Sequence, residues 1–443
     1  MITKVIKYDE ELKGIININN NEYHIPSVFI NEEIDISFSK DKKSVILNKI
    51  ITPSKERITP KCSICHKCGG CSLQSINYKE QLRIKTNTVK DLFKTLNASN
   101  KVKDCIGMEY PFEYRNKNQF VIKNTKNKSN PIASGFYEEG THNIINFDDC
   151  AIQNRLSNEI TKTIKMLMQK MHYSAYDEDH KTGLFRHILI RNSETTKEIM
   201  VVIVTAKEDF PGSKNFSQAL IQKHKEITTI VQNINTKQTS MVLGEKEKIL
   251  YGKGFIIDEL MGLKFKISSR SFYQINSKQC VKLYSEAINN AGLTTNDILL
   301  DAYSGVGTIG LIASRYVKKV ISVELNKDAV SDAVNNAKYS NIKNVQFYCD
   351  DATKFINKLA NQKEHIDVVI MDPPRKGSDQ SFLNAVLKLS PKKIIYISCN
   401  PHTQVEDINH LEGYQITSIQ PVDMFPQTFH VETVVCLSRK TTK

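Results

Sequence analysis

Two short segments put reactive groups where a strand would hand them to a ligand. The run Lys393–Ile397 ends in Ser398-Cys399-Asn400-Pro401, and the run Val368–Met371 ends in Asp372-Pro373-Pro374-Arg375-Lys376-Gly377. Most free cysteines are inert core residues, but a thiol at the carboxyl end of a strand, between polar neighbours, is placed as a nucleophile. Transfer of an alkyl group to nitrogen needs no thiolate, because nitrogen carries a lone pair. Carbon 5 of a pyrimidine does need one. Thiolate addition at carbon 6 makes an enolate that attacks the alkyl donor; a base then takes the proton from carbon 5 and the thiolate leaves. The base could be Glu432, in Phe429-His430-Val431-Glu432-Thr433, although a carboxylate at a strand start is usually a surface residue and the spacing alone does not pick it. The rigid Asp372-Pro373-Pro374 wall also suits methylation of an exocyclic amine, which stands as a competing chemistry.

The donor is read from Asp301-Ala302-Tyr303-Ser304-Gly305-Val306-Gly307-Thr308-Ile309-Gly310. Strand, glycine turn and helix start bring backbone N–H groups close to a nucleotide-like ligand. The GxGxxG spacing alone fits NAD as well. Three acids favour S-adenosylmethionine: Asp301 before the glycines, Glu324 at the end of the second strand for the ribose hydroxyls, and Asp351 at the end of the third for the adenine amine.

A third cluster is Cys62-Ser63-Ile64-Cys65-His66-Lys67-Cys68-Gly69-Gly70-Cys71. Zinc would use two CxxC pairs, but the loop between them is short for a ribbon. An iron–sulfur cluster would use three local thiols and a remote one, for which Cys150 is available.

These groups need elements to hold them. From Gly262 onward, short apolar strands at Lys319–Val323, Val345–Tyr348, Val368–Met371, Lys393–Ile397 and Thr433–Leu437 alternate at first with helices, predicting a doubly wound parallel sheet with the ligand at the strands' carboxyl ends. The spacing predicts strands at Gly14–Ile18, Tyr23–Pro26, Glu33–Phe38 and Ser44–Ile51, as in a small OB-like barrel, and an amphipathic helix over 76–96. Residues 151–260 read as mixed α/β, with a helix over Ile160–Met171 and strands over 186–191 and 200–205. Tyr114-Arg115-Asn116-Lys117-Asn118-Gln119-Phe120 mixes basic, amide and aromatic groups as RNA readers do. Arg186 and Arg191 read as surface charges or phosphate ligands.

The chain has 443 residues and a net charge of +13. Residues 61–128 hold 14 Lys and Arg against 5 Asp and Glu, a net of +9, so the basicity is local and favours a polyanionic partner. No apolar run reaches the length of a membrane span and the start is not a signal peptide, so a cytoplasmic protein without a membrane partner is expected.

The chain resembles the RNA uracil-5-methyltransferases, in particular the iron–sulfur 23S rRNA branch with an N-terminal TRAM-like domain. The resemblance rests on Ser271-Phe272-Tyr273-Gln274-Ile275-Asn276, the glycine loop, the segments around Asp372 and Cys399, and Asp423-Met424-Phe425-Pro426-Gln427-Thr428-Phe429-His430-Val431-Glu432. It implies a Rossmann-like class I methyltransferase domain (262–443), an iron–sulfur and RNA-binding central domain (61–261), whose helix 76–96 packs on the catalytic domain, and a TRAM/OB-like RNA-binding barrel (1–60). It implies Cys399 as nucleophile and Glu432 as proton acceptor. It places Gln274, Tyr303, Thr308, Glu324, Asp351 and Asp372 on S-adenosyl-L-methionine, and a 4Fe-4S cluster on Cys62, Cys68, Cys71 and Cys150. Cys65 is an extra thiol, which keeps zinc as the alternative. The expected reaction is 5-methylation of a uridine in a loop or single strand of 23S rRNA by a monomer; the same reaction on tRNA and a non-catalytic RNA-binding or assembly factor are the rivals.

Overall fold

A computed structural model describes residues 1–39, 44–127, 131–138, 141, 143–237 and 241–440. Residues 2–52 form β1 (Ile2–Lys4), β2 (Lys7–Tyr8), β3 (Gly14–Ile18), β4 (Asn21–Ile25), β5 (Glu33–Phe38) and β6 (Val45–Thr52). They make two three-stranded antiparallel sheets, β1-β5-β6 and β2-β3-β4. Alternating residues such as Ile16, Ile18, Ile34 and Ile36 face inward with Val5 and Val28 to form one shared core.

Helix α1 (Tyr78–Leu92) starts on Asn77, whose side chain accepts from the Glu80 N–H. Its Val89 joins Phe93, Val102 and Cys105 in a core with Leu300, Phe382 and Ile419 of the C-terminal unit. The chain after it runs along that unit's edge: Lys103 N donates to Ile419 O at 3.0 Å and Ile106 N to Pro421 O at 3.0 Å.

The middle of the chain adds β7 (Lys117–Asn124), β8 (Ile132–Tyr137), β9 (Ile144–Asn146), α2 (Arg155–Lys170), β10 (Phe185–Asn192), β11 (Ile199–Thr205), α3 (Ser213–Lys223), β12 (Ile227–Ile234) and β13 (Lys246–Tyr251). Its sheet runs β13-β12-β11-β10-β7-β8-β9. One face is covered by α2 and α3; the other shares a core with the hairpin β14 (Ile256–Leu260) and β15 (Leu263–Ile267) and with α4 (Ser277–Ala291).

The last unit contains β16 (Ile298–Ala302), α5 (Thr308–Ala313), β17 (Lys319–Glu324), α6 (Lys327–Tyr339), β18 (Val345–Cys349), α7 (Ala352–Asn361), β19 (Val368–Met371), α8 (Gln380–Leu389), β20 (Lys393–Ser398), α9 (Pro401–Asn409), β21 (Tyr414–Val422) and β22 (Glu432–Arg439). The sheet order is β18-β17-β16-β19-β20-β22-β21, with β16 to β20 parallel. The expectation of an all-parallel sheet is corrected at one end. β21, which the sequence reading missed, pairs antiparallel with β22, and β22 lies antiparallel to β20. A return through residues 423–431, without a crossover helix, forces that direction. It also brings Glu432, the first residue of β22, beside the carboxyl end of β20.

No helix among the described residues is long and apolar enough to cross a membrane.

Candidate active site

The glycine loop between β16 and α5 is bent through left-handed backbone at Tyr303, Gly305 and Gly307, with φ of 62°, 56° and 78°. A Cβ on Gly310 would lie 2.4 Å from Asp301 Oδ2. That clash explains the third glycine. Asp301 is buried under the loop, where it accepts from the Gly310 N–H and from Ser322 Oγ at 3.3 Å, and burial pushes its carboxyl up to about 7. It braces the loop from beneath and is not among the residues lining the cleft.

Glu324 closes β17. Its Oε2 accepts from Gly305 N at 2.9 Å and its Oε1 from Asn326 N at 2.8 Å, which fixes the carboxylate beside the loop. Together with Gln274, Tyr303, Asp372, Cys399 and Glu432 it lines one cleft of about 1040 Å³. Thr308 and Asp351 are not among the lining residues. Thr308 is the first residue of α5, and Asp351 caps α7 by accepting from Lys354 N at 3.0 Å.

At the far end of the cleft, Asp372 follows β19, Cys399 follows β20 and Glu432 begins β22. Burial first, and then the charge of Asp372, hold Glu432 well above the ordinary carboxylate range, while Arg375 opposes the shift. Burial raises Asp372 too. The Cys399 thiol is pushed up to about 11 by burial and by both carboxylates; Arg375, which is hydrogen-bonded to it, pulls the other way. Among the groups acting on Cys399, Arg375 is thus the cation that favours thiolate, and sequence reasoning gave it no role. Its signal was present in the Asp372–Gly377 motif. Arg375 Nη2 lies 2.8 Å from His430 Nδ1, and its carbonyl accepts from Asn400 Nδ2 at 3.0 Å. The His430 ring is 4.0 Å from that of Phe429. Burial and then Arg375 drive the His430 pKa down to about 4, leaving the imidazole neutral.

Cys399 and Arg375 also line a second chamber of about 210 Å³, with Phe429, His430 and His402 and with Glu10 to Leu12 from the N-terminal unit. The thiol is therefore reachable from two sides.

The loop Ser268–Asn276 forms the cleft's other wall. Asn116 Nδ2 donates to Gln274 O at 2.8 Å and Asn116 N to Ile275 O at 2.9 Å, so the Tyr114–Phe120 segment holds the loop from behind. Phe272 stays 67% exposed on it.

Away from the cleft, Cys150 comes to the N-terminal cysteines. The Cys71 thiol is raised first by burial and then by the proximity of Cys150, Cys68 and Cys62. Burial pushes Cys150 up to about 11, and Cys62 adds to the shift. Cys65 is turned toward Ser75, with Cys62 and Cys68 nearby. Cys62, Cys68, Cys71 and Cys150 lie close enough that Cys68 raises Cys62, Cys62 raises Cys150, and all three raise Cys71, a donor set that suits a thiolate-binding metal centre. Among the described residues, no group of three or more His, Cys, Asp or Glu is already disposed as a metal site.

The model of a family described as tRNA (uracil-5-)-methyltransferase matches residues 77–440. A protein of Staphylococcus epidermidis described as an uncharacterized RNA methyltransferase is 42% identical over 443 residues, covering 99% of this chain and 97% of that one. A Staphylococcus aureus protein of the same description is 40% identical over 442 residues, covering 98% and 97%. Among solved structures, the Pyrococcus abyssi tRNA (uracil-54, C5)-methyltransferase in complex with S-adenosyl-L-homocysteine superposes with a TM-score of 0.79 at 25% identity, covering 99% of this chain and all of that one.

Proposed function

The chain belongs to the tRNA (uracil-5-)-methyltransferase family, and on that premise we propose that it methylates carbon 5 of a uridine in 23S rRNA, with Cys399 as nucleophile and Glu432 as proton acceptor. It is an RNA uracil-5-methyltransferase that uses S-adenosylmethionine. The target RNA, the residue roles and the use of the cysteine site are our reading.

The observation that carries the roles is the shared cleft. A thiol, two carboxyls held above their ordinary range and a glycine loop line one cavity, and one arginine faces the thiol. Gln274, Tyr303, Glu324 and Asp372 are the side chains that would hold the cofactor, with Thr308 and Asp351 supporting from outside the lining. The cofactor supplies a methyl group on a sulfonium. Cys399 gives up its proton to water, a loss favoured by Arg375, and Sγ bonds to carbon 6 of the uracil as the carbon 5–carbon 6 electron pair shifts toward carbon 5. The displaced electron pair leaves carbon 5 able to take the methyl. Glu432, acting in its carboxylate form, which becomes populated as pH rises toward about 8, then accepts the proton from carbon 5, the carbon 6–sulfur bond breaks and the thiolate is restored. The base must leave its stack to reach Cys399, at about a few kcal/mol, which favours a loop or single strand as target.

We assign a 4Fe-4S cluster to Cys62, Cys68, Cys71 and Cys150. The thiols' mutual proximity and burial support it. The centre does no redox work in this reading; it shapes the RNA-facing segment beside it. The N-terminal unit holds flanking RNA as a TRAM-like domain does. A cytoplasmic monomer belongs to the same reading.

A tRNA uridine is the second reading, favoured by the likeness to the Pyrococcus abyssi enzyme. Transcripts of 23S rRNA domains and of tRNAs, incubated with labelled cofactor and mapped for 5-methyluridine, decide between the two. Label in tRNA alone overturns the first reading.

A further inference from the structure

Among the described residues, the buried lysines are paired. Lys85 meets Asp423 at 2.6 Å and Lys165 meets Asp148 at 2.7 Å. Lys117 is not. It is half-buried at the start of β7, and its ammonium has no hydrogen bond or ion pair with the described residues. Its register partner across the sheet is another cation, Arg191 of β10. Residues directly opposite in an antiparallel pair share a face, so two positive charges stand side by side.

The groups acting on Lys117 are its own burial, Arg191 and Arg115, and all three push its pKa down, to about 8; no carboxylate opposes them. Arg191 is buried, donates from Nη2 to the carbonyls of Ser269 and Ser271, and leaves its Nε without a partner. Arg115 likewise leaves a buried Nε unpartnered. The one acid acting on Arg191 is Asp332, which is engaged by Ser271 Oγ at 2.6 Å. Arg115 also acts on Cys71 and Cys150, but Lys117 and Arg191 stand side by side, one half-buried and one buried, with no carboxylate acting on Lys117, an arrangement that an anion arriving from outside would stabilise.

We propose that Lys117, with Arg115 and Arg191 around it, binds a backbone phosphate of the substrate RNA at the outer edge of the loop that carries Phe272 and Gln274. The inference deepens the RNA-methylation reading and rests on it. Lys117 is absent from the residues lining the cofactor cleft, which argues against the carboxylate of the cofactor as the anion. Asn116 and Arg191 tie both flanks of the site to the Ser268–Asn276 loop, so a phosphate seated there fixes the strand's register against Gln274 and Cys399. Phosphate contacts of this kind position an RNA without reading its sequence.

The test is the salt dependence of binding to an RNA fragment that the wild-type enzyme methylates. Losing one phosphate contact from a single strand lowers the slope of log affinity against log salt by about 0.7. Lys117→Met should show that loss, Lys117→Arg should recover it, and affinity for S-adenosylhomocysteine should stay as in the wild type. A weaker but equally salt-dependent Lys117→Met overturns the proposal, because a merely structural lysine would give that result. Footprinting of the unaltered protein needs no variant. An amine-reactive acylating reagent should label Lys117 in the free enzyme and with S-adenosylhomocysteine, and RNA should protect it; equal labelling with RNA overturns the proposal. If the wild type methylates no RNA, the parent reading fails and this one with it; an unchanged slope on a methylated RNA removes only the phosphate site.

Discussion

The ammonium of Lys85 and the carboxylate of Asp423 meet at 2.6 Å with both side chains fully buried, though 338 residues separate them. Tyr78 donates to the second Asp423 oxygen at 2.7 Å. Alongside, Gln81 Nε2 donates to Leu73 O and to Gln427 Oε1, each at 3.0 Å, and Leu73 N donates to Gln427 O at 3.0 Å. The chain just after the cysteine segment is thus stitched, through α1, to the return loop that delivers Glu432.

Breaking this ion pair on one side strands a charge in the core. Lys85→Met is expected to cost about 3–5 kcal/mol of stability and to lower turnover by loosening the return loop. Changing both partners, Lys85→Met with Asp423→Leu, is expected to recover much of the stability. Denaturant melts of Lys85→Met, Asp423→Leu and the double variant check this, and equal losses in single and double variants would count against the pair.

Glu432 links stability to pH. Its carboxyl is raised to about 8 from an ordinary 4.5, so the folded protein keeps a proton that the unfolded chain releases. Stability contributed by that proton is present below about 4.5 and is lost as pH rises toward about 8. Glu432→Gln should therefore melt higher than the wild type at pH 8, by on the order of 2–4 °C, while turnover falls by about 10²–10⁴. If it is the proton acceptor, this variant should also accumulate a covalent RNA adduct on ordinary uridine. A Gln variant that melts lower at pH 8, or turns over normally, contradicts the account.

Arg375 should set the reactivity of the cysteine. Arg375→Gln removes the charge that favours thiolate, so the pH at which Cys399 becomes alkylated should move above about 11, where burial and the two carboxylates already hold it. Iodoacetamide rates against pH, read on the Cys399 peptide, measure the shift. An unchanged profile would mean the guanidinium only binds His430 and the Asn400 turn.

The cysteine site makes a compositional prediction. Cys150→Ser should lose bound iron and sulfide, whereas Cys65→Ser, the thiol turned toward Ser75, should keep them. Anaerobic purification with iron and sulfide analysis tests this. Bound zinc that survives Cys150→Ser and is lost in Cys65→Ser would favour zinc on the two CxxC pairs.

Much of this was legible in the chain because local rules act locally. Strand-then-glycine-then-helix patterning located β16 to α5, and apolar runs located β17 to β20 within a residue or two. The strand β21 was missed because its burial alternates only partly and Thr417 sits at a register shift. Asp301 looked like a cofactor ligand because strand-end acids often are; only the Gly310 contact shows it beneath the loop. Arg375 and His430 were written in segments already singled out, but their pairing joins residues 55 apart and is a tertiary fact. The unpaired state of Lys117 has no sequence signature at all, since it depends on what stands across the sheet.

Covalent capture tests the central claim most directly. Fluorine at carbon 5 cannot leave as a proton does, so RNA carrying 5-fluorouridine at the target, incubated with cofactor, should stay bonded to the enzyme. Mass spectrometry should place methylated 5-fluorouridine on the peptide containing Cys399, and Cys399→Ala should trap nothing. Methylation without any adduct, or an adduct that survives Cys399→Ala, would contradict the account.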